Sequence, residues 1–351
     1  MTLKDIAKEA NVSISTVSRV INGKGKTAAS QEVCDRIWEI VHRTNYIPNG
    51  AAQNLRTRKG REEEESAGCV ECFLARMPFS EKDQFFSELA RSMERQSLSL
   101  NYDVKYSFTT RGLSHQSASR ELSESEAKGL AILGRCDKQI FSLLRQHFRS
   151  ICYVGLNSLN GNCDQVICDG MEASRAAVNY LISLGHTRIG YLGEIRDEIR
   201  YLGYRNAMID NKLPTESRYA VNAKLSYKGG YEGAKTLLKA SSDISAIFCA
   251  NDITAIGAMS AIKELGLRVP QDISVIGVDN IEASRYMSPA LTTISIPITE
   301  MGETAAKVLV DRIRGGHQEP VKVILPFRLE IRESCGKPKE SKTSVEQKEV
   351  K

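Results

Sequence analysis

From Ala67 onward, short apolar runs alternate with longer amphipathic stretches, and this alternation leaves few architectures open. Nine of the apolar runs resemble strands: AGCVECFLA, YDVKYSF, GLAILG, SICYVG, QVIC, RIGYLG, RYAVN, SAIFCA and DISVIGVD. Helical stretches such as Gln84–Ser99, Met171–Leu184 and Ile253–Leu265 lie between most of them. Strand–helix alternation predicts parallel sheets with right-handed crossovers. Because nine or more strands exceed one comfortable sheet, we expect an α/β body of two doubly wound parallel-sheet subdomains.

Residues that follow these strands are the first candidates for a binding site, because ligands of open α/β folds lie outside the carboxyl ends of strands. The candidates are Met77, Phe85, Phe86, Arg200, Asn251 and Asp279. Asp accepts hydrogen bonds from hydroxyls, Arg donates them, Asn does both, and an aromatic ring can cover the apolar face of a sugar. Taken alone, Asp279 could be a turn residue and Phe85 part of the core. Their shared position at strand ends favours a small polar ligand.

Residues 2–22 predict two short helices joined by a tight turn. Thr2 and Ser13 can cap the helices, and Asn11 stands where the chain must turn, a position at which Asn tolerates a left-handed backbone. Each helix has one apolar face, formed by Ile6, Ala7 and Ala10 in the first and by Val17, Val20 and Ile21 in the second. This pattern fits a helix-turn-helix, although a surface helical hairpin would share it.

The outward face of the second helix carries short hydrogen-bonding or cationic side chains. They are Ser15, Thr16, Ser18 and Arg19, with Ile14 beside them. Such side chains are typical of a helix that reads the major groove of DNA. A third helix should begin at Ser30, with Val33, Ile37, Ile40 and Val41 at core spacing, and end before Pro48.

The basic charge of the chain is confined to its N-terminal segment. Residues 1–61 hold eleven Lys or Arg and five Asp or Glu, whereas the whole 351-residue chain has a net charge of only +5. A basic module on a nearly neutral body is expected of a protein that contacts phosphates. The segment 50–61 could be a flexible basic tether, and the four glutamates that follow it, residues 62–65, are interpreted as solvated linker.

Two stretches closely resemble the lactose-repressor (LacI/GalR) family of bacterial transcriptional regulators. One is LKDIAKEANVSISTVSRVIN, and the other runs from IFCANDITAIG to PITEMG. The resemblance extends over nearly the whole chain. It implies an N-terminal three-helix helix-turn-helix domain and a periplasmic-binding-protein-like body of two parallel-sheet subdomains. It also implies a set of DNA-binding residues, namely Thr2, Ile14, Ser15, Thr16, Ser18, Arg19, Asn22, Asn49, Leu55 and Arg56.

The same resemblance implies a hinge helix within residues 49–66. In the family this segment folds when two subunits meet on the operator, and its leucine, here Leu55, wedges into the minor groove and kinks the DNA. The chain departs from the family at Gln53, where an Arg is frequent. The segment still has three basic residues that can contact phosphates, Arg56, Arg58 and Lys59.

In the body, the resemblance implies that Arg200, Asn251 and Asp279 contact the effector and that Phe85 and Phe86 line the cleft. Leu225 stands where relatives often have an aromatic residue, which removes one expected stacking partner. The resemblance also implies three crossings between the subdomains, which we place near Leu156–Asn162, Ile294–Pro297 and Leu325–Arg328.

These expectations divide the chain into four parts. The DNA-binding domain takes residues 1–48, the hinge and linker 49–66, the effector and dimerisation domain 67–335, and a disordered Lys/Glu/Ser-rich tail 336–351. Within the body, the N-subdomain takes about 67–158 and 297–325, and the C-subdomain about 159–296 and 326–335. The amphipathic run Met301–Ile313 could belong either to the dimer interface or to the core.

Residues for catalysis or metal binding are not evident. None of the five histidines has a metal-binding spacing, and P-loop and nucleophile-elbow motifs are absent. Cys69 and Cys72 form a C-x-x-C that could bind zinc or act in redox chemistry, but they lie in a predicted strand, where residues three apart face opposite sides. We therefore expect no enzyme, no cofactor and no metal.

Together these features predict a cytoplasmic homodimer that binds a pseudo-palindromic double-stranded DNA operator and represses carbohydrate-use genes until a sugar effector releases it. The cytoplasm is expected because no apolar run approaches a membrane span and no secretory signal is present. One alternative is a corepressor-dependent regulator, in which a small molecule or a phosphocarrier protein strengthens DNA binding. Another is a sugar-binding receptor without DNA function, and an enzyme is the weakest hypothesis.

Overall fold

Two units make up the chain, residues 1–65 and 66–351. The computed structural model describes residues 3–21, 30, 32–34, 36–37, 40, 68–75, 84–108 and 125–339. The predictions for Thr2, Asn22, Asn49, Leu55, Arg56, Met77, the hinge and the glutamate run fall outside these residues.

Within the first unit, two helices and a tight turn form as expected. They are α1 (Leu3–Glu9) and α2 (Ile14–Ile21). Asn11 has the left-handed φ of 53° that the turn requires. Ser13 caps α2, since its Oγ accepts the Thr16 N–H at 3.1 Å. Residues 32–34, 36–37 and 40 are also helical. The buried side chains of this unit are Ile6, Ala7, Ala10, Val17, Val20, Cys34, Ile37 and Ile40, a small core that agrees with the predicted apolar faces.

The second unit contains two six-stranded sheets. The strands of the first sheet are β1 (Cys69–Leu74), β2 (Asp103–Phe108), β3 (Gly129–Leu133), β4 (Ile151–Gly155), β5 (Asp164–Cys168) and β11 (Lys322–Leu325). Their order is β11-β5-β4-β3-β1-β2, and the sheet is parallel throughout. Three helices pack with it, α3 (Gln84–Ser99), α4 (Lys138–His147) and α9 (Ile298–Ile313), and together these elements form the first lobe.

The strands of the second sheet are β6 (Ile189–Gly193), β7 (Ala220–Asn222), β8 (Ala246–Cys249), β9 (Ser274–Asp279), β10 (Thr292–Ser295) and β12 (Arg328–Glu330). Their order is β12-β10-β9-β8-β6-β7, and within this sheet only β12 runs antiparallel. The helices α5 (Gly170–Ser183), α6 (Ile199–Asp210), α7 (Tyr227–Ala240) and α8 (Asp252–Glu264) pack with it and complete the second lobe. The two-sheet prediction is therefore confirmed.

Helices cover both faces of each sheet, so the central strands are buried along their whole length and are mostly apolar. All residues of β3, β4, β5, β6, β8 and β9 are buried. Buried parallel strands lack the alternation of half-exposed strands, which is why runs such as GLAILG and SAIFCA identify them in the sequence.

Helix α9 packs its apolar face into the core of the first lobe, so the core role predicted for Met301–Ile313 is confirmed for that face. Met301, Ala305 and Leu309 are fully buried. A Cβ placed on Gly302 would lie 2.7 Å from the Leu89 carbonyl oxygen, so α9 and α3 pack with almost no space between them.

One predicted crossing between the subdomains is wrong. We placed it near Leu156–Asn162, but β5 (Asp164–Cys168) pairs with β4 in the first sheet, and the chain passes to the second lobe only between Cys168 and Gly170. The reason is that the loop after β4 returns to its own sheet. The other two passages lie at Ile296–Pro297 and Pro326–Phe327.

The predicted disordered tail is wrong for its first residues, because 336–339 contact the second lobe. His186 Nε2 lies 2.8 Å from the Gly336 carbonyl oxygen, and the Gly336 N–H donates to Ser274 Oγ at 3.0 Å. Lys339 pairs with Asp272. The remaining tail residues, 340–351, lie outside the described part of the chain.

None of the helices in the described residues is long and apolar enough to cross a membrane. All nine cysteines are free thiols. Cys72 is fully buried and Cys69 is half-buried in β1, and burial raises the pKa of the Cys72 thiol far above its usual range. These two cysteines are therefore strand residues, as their spacing in an apolar run predicted.

Candidate functional site

Three of the predicted site residues gather at the carboxyl edge of the second sheet. Arg200 is in the first turn of α6, Asn251 follows β8, and Asp279 ends β9. Arg200 Nη1 donates to the carbonyl oxygen of Ala250, next to Asn251, at 2.7 Å. All three residues are more than 90% buried. Buried polar side chains need hydrogen-bond partners, and at the carboxyl ends of strands a bound ligand can supply some of them.

Arg200 is held by Glu198, a residue that the sequence analysis did not select. Its Nε donates to Glu198 Oε1 at 2.8 Å, and its Nη2 donates to Glu198 Oε2 at 3.2 Å. Burial alone would lower the pKa of Arg200, but the Glu198 carboxylate outweighs burial and raises it above the ordinary value. Glu198 also caps α6, because its Oε1 accepts the Arg200 N–H. The arginine is thus a fixed donor within an ion pair.

Asp279 has a backbone conformation that is rare for its residue type. Its φ is 114°, and the next residue, Asn280, has a φ of 58°. Non-glycine residues at positive φ are strained and cluster at functional sites. The turn is held from below by Asp252, whose Oδ2 accepts the Ile281 N–H at 3.0 Å and whose Oδ1 accepts the Thr293 hydroxyl at 2.5 Å.

Asn251 has a structural role besides its predicted one. It caps α8, since its Oδ1 accepts the Thr254 N–H at 3.1 Å. Asp252 beside it is fully buried, and burial raises the pKa of its carboxyl group to about 7 against the lowering effect of its hydrogen bonds. Asp252 is therefore a buried residue that supports the turn after β9 through its hydrogen bonds.

Phe85 and Phe86 lie on the first lobe, at the start of α3. Their ring centroids are 5.2 Å apart in an edge-to-face arrangement. A Cβ on Gly134 would lie 2.6 Å from the Phe86 ring, so this ring covers the carboxyl end of β3. Leu225 follows β7 in the second lobe and is half-buried against an apolar cluster formed by residues of both sheets. The aromatic pair and the polar trio thus belong to different lobes.

Arg135, which the sequence analysis also missed, makes a polar contact between the two lobes. Arg135 follows β3 of the first sheet, and its Nη2 donates to Glu194 Oε2, just after β6 of the second sheet, at 3.2 Å. Its Nη1 lies 3.7 Å from Glu198 Oε2 and donates to the Asp197 carbonyl oxygen. The strand-end rule that selected Asn251 would have found Arg135 and Glu194 if it had been applied to GLAILG and RIGYLG.

On the separate N-terminal unit, the start of α2 presents the predicted groove-reading residues. Ile14 and Ser15 are exposed, and Thr16 is half-buried. Ser13 Oγ lies 2.7 Å from Ser15 Oγ and 2.8 Å from Thr16 Oγ1, which orders these hydroxyls. Ser18 and Arg19 lie in α2, but their side chains are outside the described part.

Comparison with known proteins gives matches in both units of the chain. Residues 2–49 match the family described as bacterial regulatory proteins, lacI family, and residues 178–335 match a periplasmic binding protein-like domain. The ribose operon repressor of Haemophilus influenzae is 30% identical over 95% of this chain and 98% of its own length.

Two solved structures are also similar. One is the lac repressor dimer bound to operator and the anti-inducer ONPF, with 25% identity, a TM-score of 0.67, and coverage of 96% of this chain and 99% of that chain. The other is a LacI family regulator from Enterococcus faecium with bound ribose, with 27% identity, a TM-score of 0.67, and coverage of 77% and 100%. The helix-turn-helix, the two-lobed body and these matches together show that the chain belongs to the LacI family of bacterial regulatory proteins.

Proposed function

We propose that this protein is a sequence-specific repressor that binds a pseudo-palindromic DNA operator as a homodimer and is released by a sugar effector. The observation that carries the effector part is the buried trio Arg200, Asn251 and Asp279, with Asp279 held at positive φ. A carboxylate, an amide and a guanidinium at one strand edge suit a ligand with several hydroxyl groups.

The proposal assigns DNA reading to Ile14, Ser15, Thr16, Ser18 and Arg19, with Thr2, Asn22, Asn49, Leu55 and Arg56 as further contacts. The exposed start of α2 supports the first part of this assignment. Met77, Phe85, Phe86 and Leu225 are proposed as the remaining effector contacts. The working division places DNA binding in residues 1–48, the hinge in 49–66, and effector binding and dimerisation in 67–335.

We place this function in the cytoplasm, where operator DNA is accessible. The function requires that the protein bind the sugar without changing it chemically. The ligand acts by linkage, because it favours one lobe arrangement while the operator favours another. Recovery of the sugar unchanged after incubation with the protein supports binding without turnover.

Asp279→Ala tests the effector site. The full-length variant is expected to bind the operator like the wild type but to ignore the sugar that releases the wild type. The operator is first selected from random DNA, and the sugar from a thermal-shift panel of free saccharides that includes D-ribose. Operator affinity is then titrated against the sugar by fluorescence anisotropy.

Asp210→Ala is the control, because Asp210 is an exposed carboxylate of the same lobe, paired with Arg175 at 3.1 Å. It should respond to the sugar normally. Normal release of Asp279→Ala contradicts the assigned role of Asp279, and a sugar that tightens operator binding in the wild type favours the corepressor alternative.

A further inference from the structure

Arg135 is the residue of the first lobe that reaches into the polar cluster of the second. Its guanidinium faces Glu194 at 3.2 Å and Glu198 at 3.7 Å, and it also donates to the Asp197 carbonyl oxygen. The side chain of Arg135 is 25% exposed and that of Glu198 only 5%. Charges that are partly withdrawn from water interact more strongly than surface pairs, so this contact differs from an ordinary surface ion pair.

The cluster is continuous with the proposed effector site. Glu198 lies between two guanidinium groups, accepting two hydrogen bonds from Arg200 of its own lobe while Arg135 approaches from the other lobe. Arg200 in turn donates to the Ala250 carbonyl oxygen beside Asn251. Arg200, the arginine of the proposed effector site, is therefore linked through the carboxylate of Glu198 to the contact between the lobes.

The geometry of this contact depends on the angle between the lobes. Arg135 follows β3 and Glu194 follows β6, strands of different sheets, and the chain passes between the lobes at other places, after β5, β10 and β11. Opening the cleft by a few ångströms would separate the guanidinium from all three acceptors, since hydrogen bonds weaken steeply beyond about 3.5 Å.

We propose that Arg135 is a positioning residue that holds the two lobes closed through Glu194 and Glu198, and that operator release by the effector depends on this contact. Only the regulatory part of this proposal, the dependence of operator release on Arg135, rests on the proposed function. The closing contact itself concerns the body of the protein and can be tested without ligand or DNA.

The arrangement suits arginine and not lysine. Two different nitrogens of Arg135, Nη1 and Nη2, serve acceptors on separate residues, which a planar fork can do and a single ammonium group cannot. Arg135→Lys should therefore keep the charge but only part of the effect, whereas Arg135→Ala removes both.

Removing Arg135 should not endanger folding. Glu198 keeps its two hydrogen bonds to Arg200, and the Glu194 side chain is 32% exposed, so water can replace the lost partner. The penalty of a buried, unpaired charge does not arise.

The first test is hydrogen–deuterium exchange on the ligand-free full-length protein. Arg135→Ala should raise amide exchange in residues 194–199 by about fivefold, the effect of losing roughly 1 kcal/mol of pairing. Arg95→Ala is the matched control, because Arg95 pairs with Glu303 at 2.8 Å within the first lobe. It should leave residues 194–199 unchanged.

Arg135→Lys is the second variant, and because it keeps the positive charge it should lose only part of the protection that Arg135→Ala removes. Unchanged exchange in Arg135→Ala would overturn the closing contact. A decrease in the thermal midpoint equal to that of Arg95→Ala, with raised exchange over the whole body, would also overturn it, because it would indicate a general structural role.

The regulatory part is tested with D-ribose as the probe in an operator-release titration. Arg135→Ala should need up to about fivefold more D-ribose than the wild type for half-release, because the closed arrangement loses the same pairing energy as in the exchange experiment. Equal half-release concentrations would overturn the dependence of release on Arg135. If D-ribose fails to release even the wild type, ribose is excluded as the effector of the proposed function, while the exchange experiment still decides whether Arg135 closes the lobes.

Discussion

Asp164 is a fully buried carboxylate at the amino end of β5, and its neighbours should make the stability of the first lobe depend on pH. It accepts hydrogen bonds from Arg312 Nη2 at 2.7 Å and from the Val321 N–H at 2.8 Å. His317 links it to a second carboxylate, because Nε2 lies 3.1 Å from Asp164 and Nδ1 lies 2.6 Å from Asp311. The Asp311 hydrogen bond is the main reason that the pKa of His317 is raised, and Asp164 adds to it.

His317→Gln should therefore cost more thermal stability at pH 6 than at pH 9. A histidine whose pKa is raised by folding stabilises the folded state fully below its unfolded pKa, about 6.5, and this contribution is lost as the pH rises through the folded value. We expect the difference between the two losses to be about 2 °C in the melting temperature, measured by scanning calorimetry. His147→Gln, at an exposed position in the last turn of α4, is the control. Equal losses of the His317 variant at both pH values would contradict the prediction.

At this scale, the sequence predicts some site residues well and others poorly. Asn251 and Asp279 follow directly from the strand-end rule, because each lies next to an unambiguous apolar run. Glu198 could not be found in this way, since its importance comes from the two hydrogen bonds that it accepts from Arg200. The positive φ of Asp279 is likewise a property of the folded chain that its sequence position does not predict.

Among the elements, the long amphipathic helices and the apolar strands were predictable, and the three C-terminal strands were not. The predicted helix Gln84–Ser99 agrees with α3 at both ends. Strands β10, β11 and β12 were missed because they lack an apolar run: β10 reads TTIS, and β11 and β12 have no buried position. Such strands are defined by the neighbours with which they pair.

The close packing of α7 and α8 gives a prediction for Gly230. A Cβ at this position would lie 2.0 Å from the Thr254 carbonyl oxygen, which is backbone and cannot rotate away. Gly230→Ala should therefore lower the free energy of unfolding by about 3 kcal/mol, the upper part of the range for overpacked cores, as measured by urea denaturation.

Gly315→Ala is the comparison variant for Gly230→Ala, because it introduces backbone strain without steric crowding. Gly315 has a φ of 77° with no heavy atom within 4 Å of its Cβ position, so alanine there meets only the left-handed backbone penalty of about 1 kcal/mol. Similar losses in the two variants would show that the contact between α7 and α8 is looser than its geometry indicates.

For the whole molecule, the proposed hinge leads to a prediction about Leu55, which lies outside the described residues. If Leu55 wedges into the minor groove, Leu55→Ala should weaken operator affinity about tenfold and reduce DNA bending, with sugar binding unchanged. Gel mobility of circularly permuted operator fragments reports the bend, and anisotropy reports the affinity. Leu98→Ala, at a half-exposed position near the end of α3, is the control. Equal operator affinity for wild type and Leu55→Ala would remove the wedge from the proposed mechanism.

The two-lobed architecture could be predicted from strand count alone, but the path of the chain between the lobes could not. The sequence contains a polar loop at Leu156–Asn162 that fits a connection between subdomains as well as it fits a turn within one. Only the pairing of β5 with β4 decides between them. Sheet membership is a long-range property, and residue patterns report mainly local ones.

The late position of β11 in the chain has a consequence for biosynthesis. The first sheet takes this edge strand from residues 322–325, after the chain has already supplied five strands of the second sheet. While the ribosome is still extending the polypeptide, β5 therefore remains an unpaired edge of the first sheet, and for most of this interval α9 is not yet available to cover the sheet. Exposed strand edges promote aggregation, so the nascent protein is most vulnerable in the interval between the emergence of β5 and that of β11.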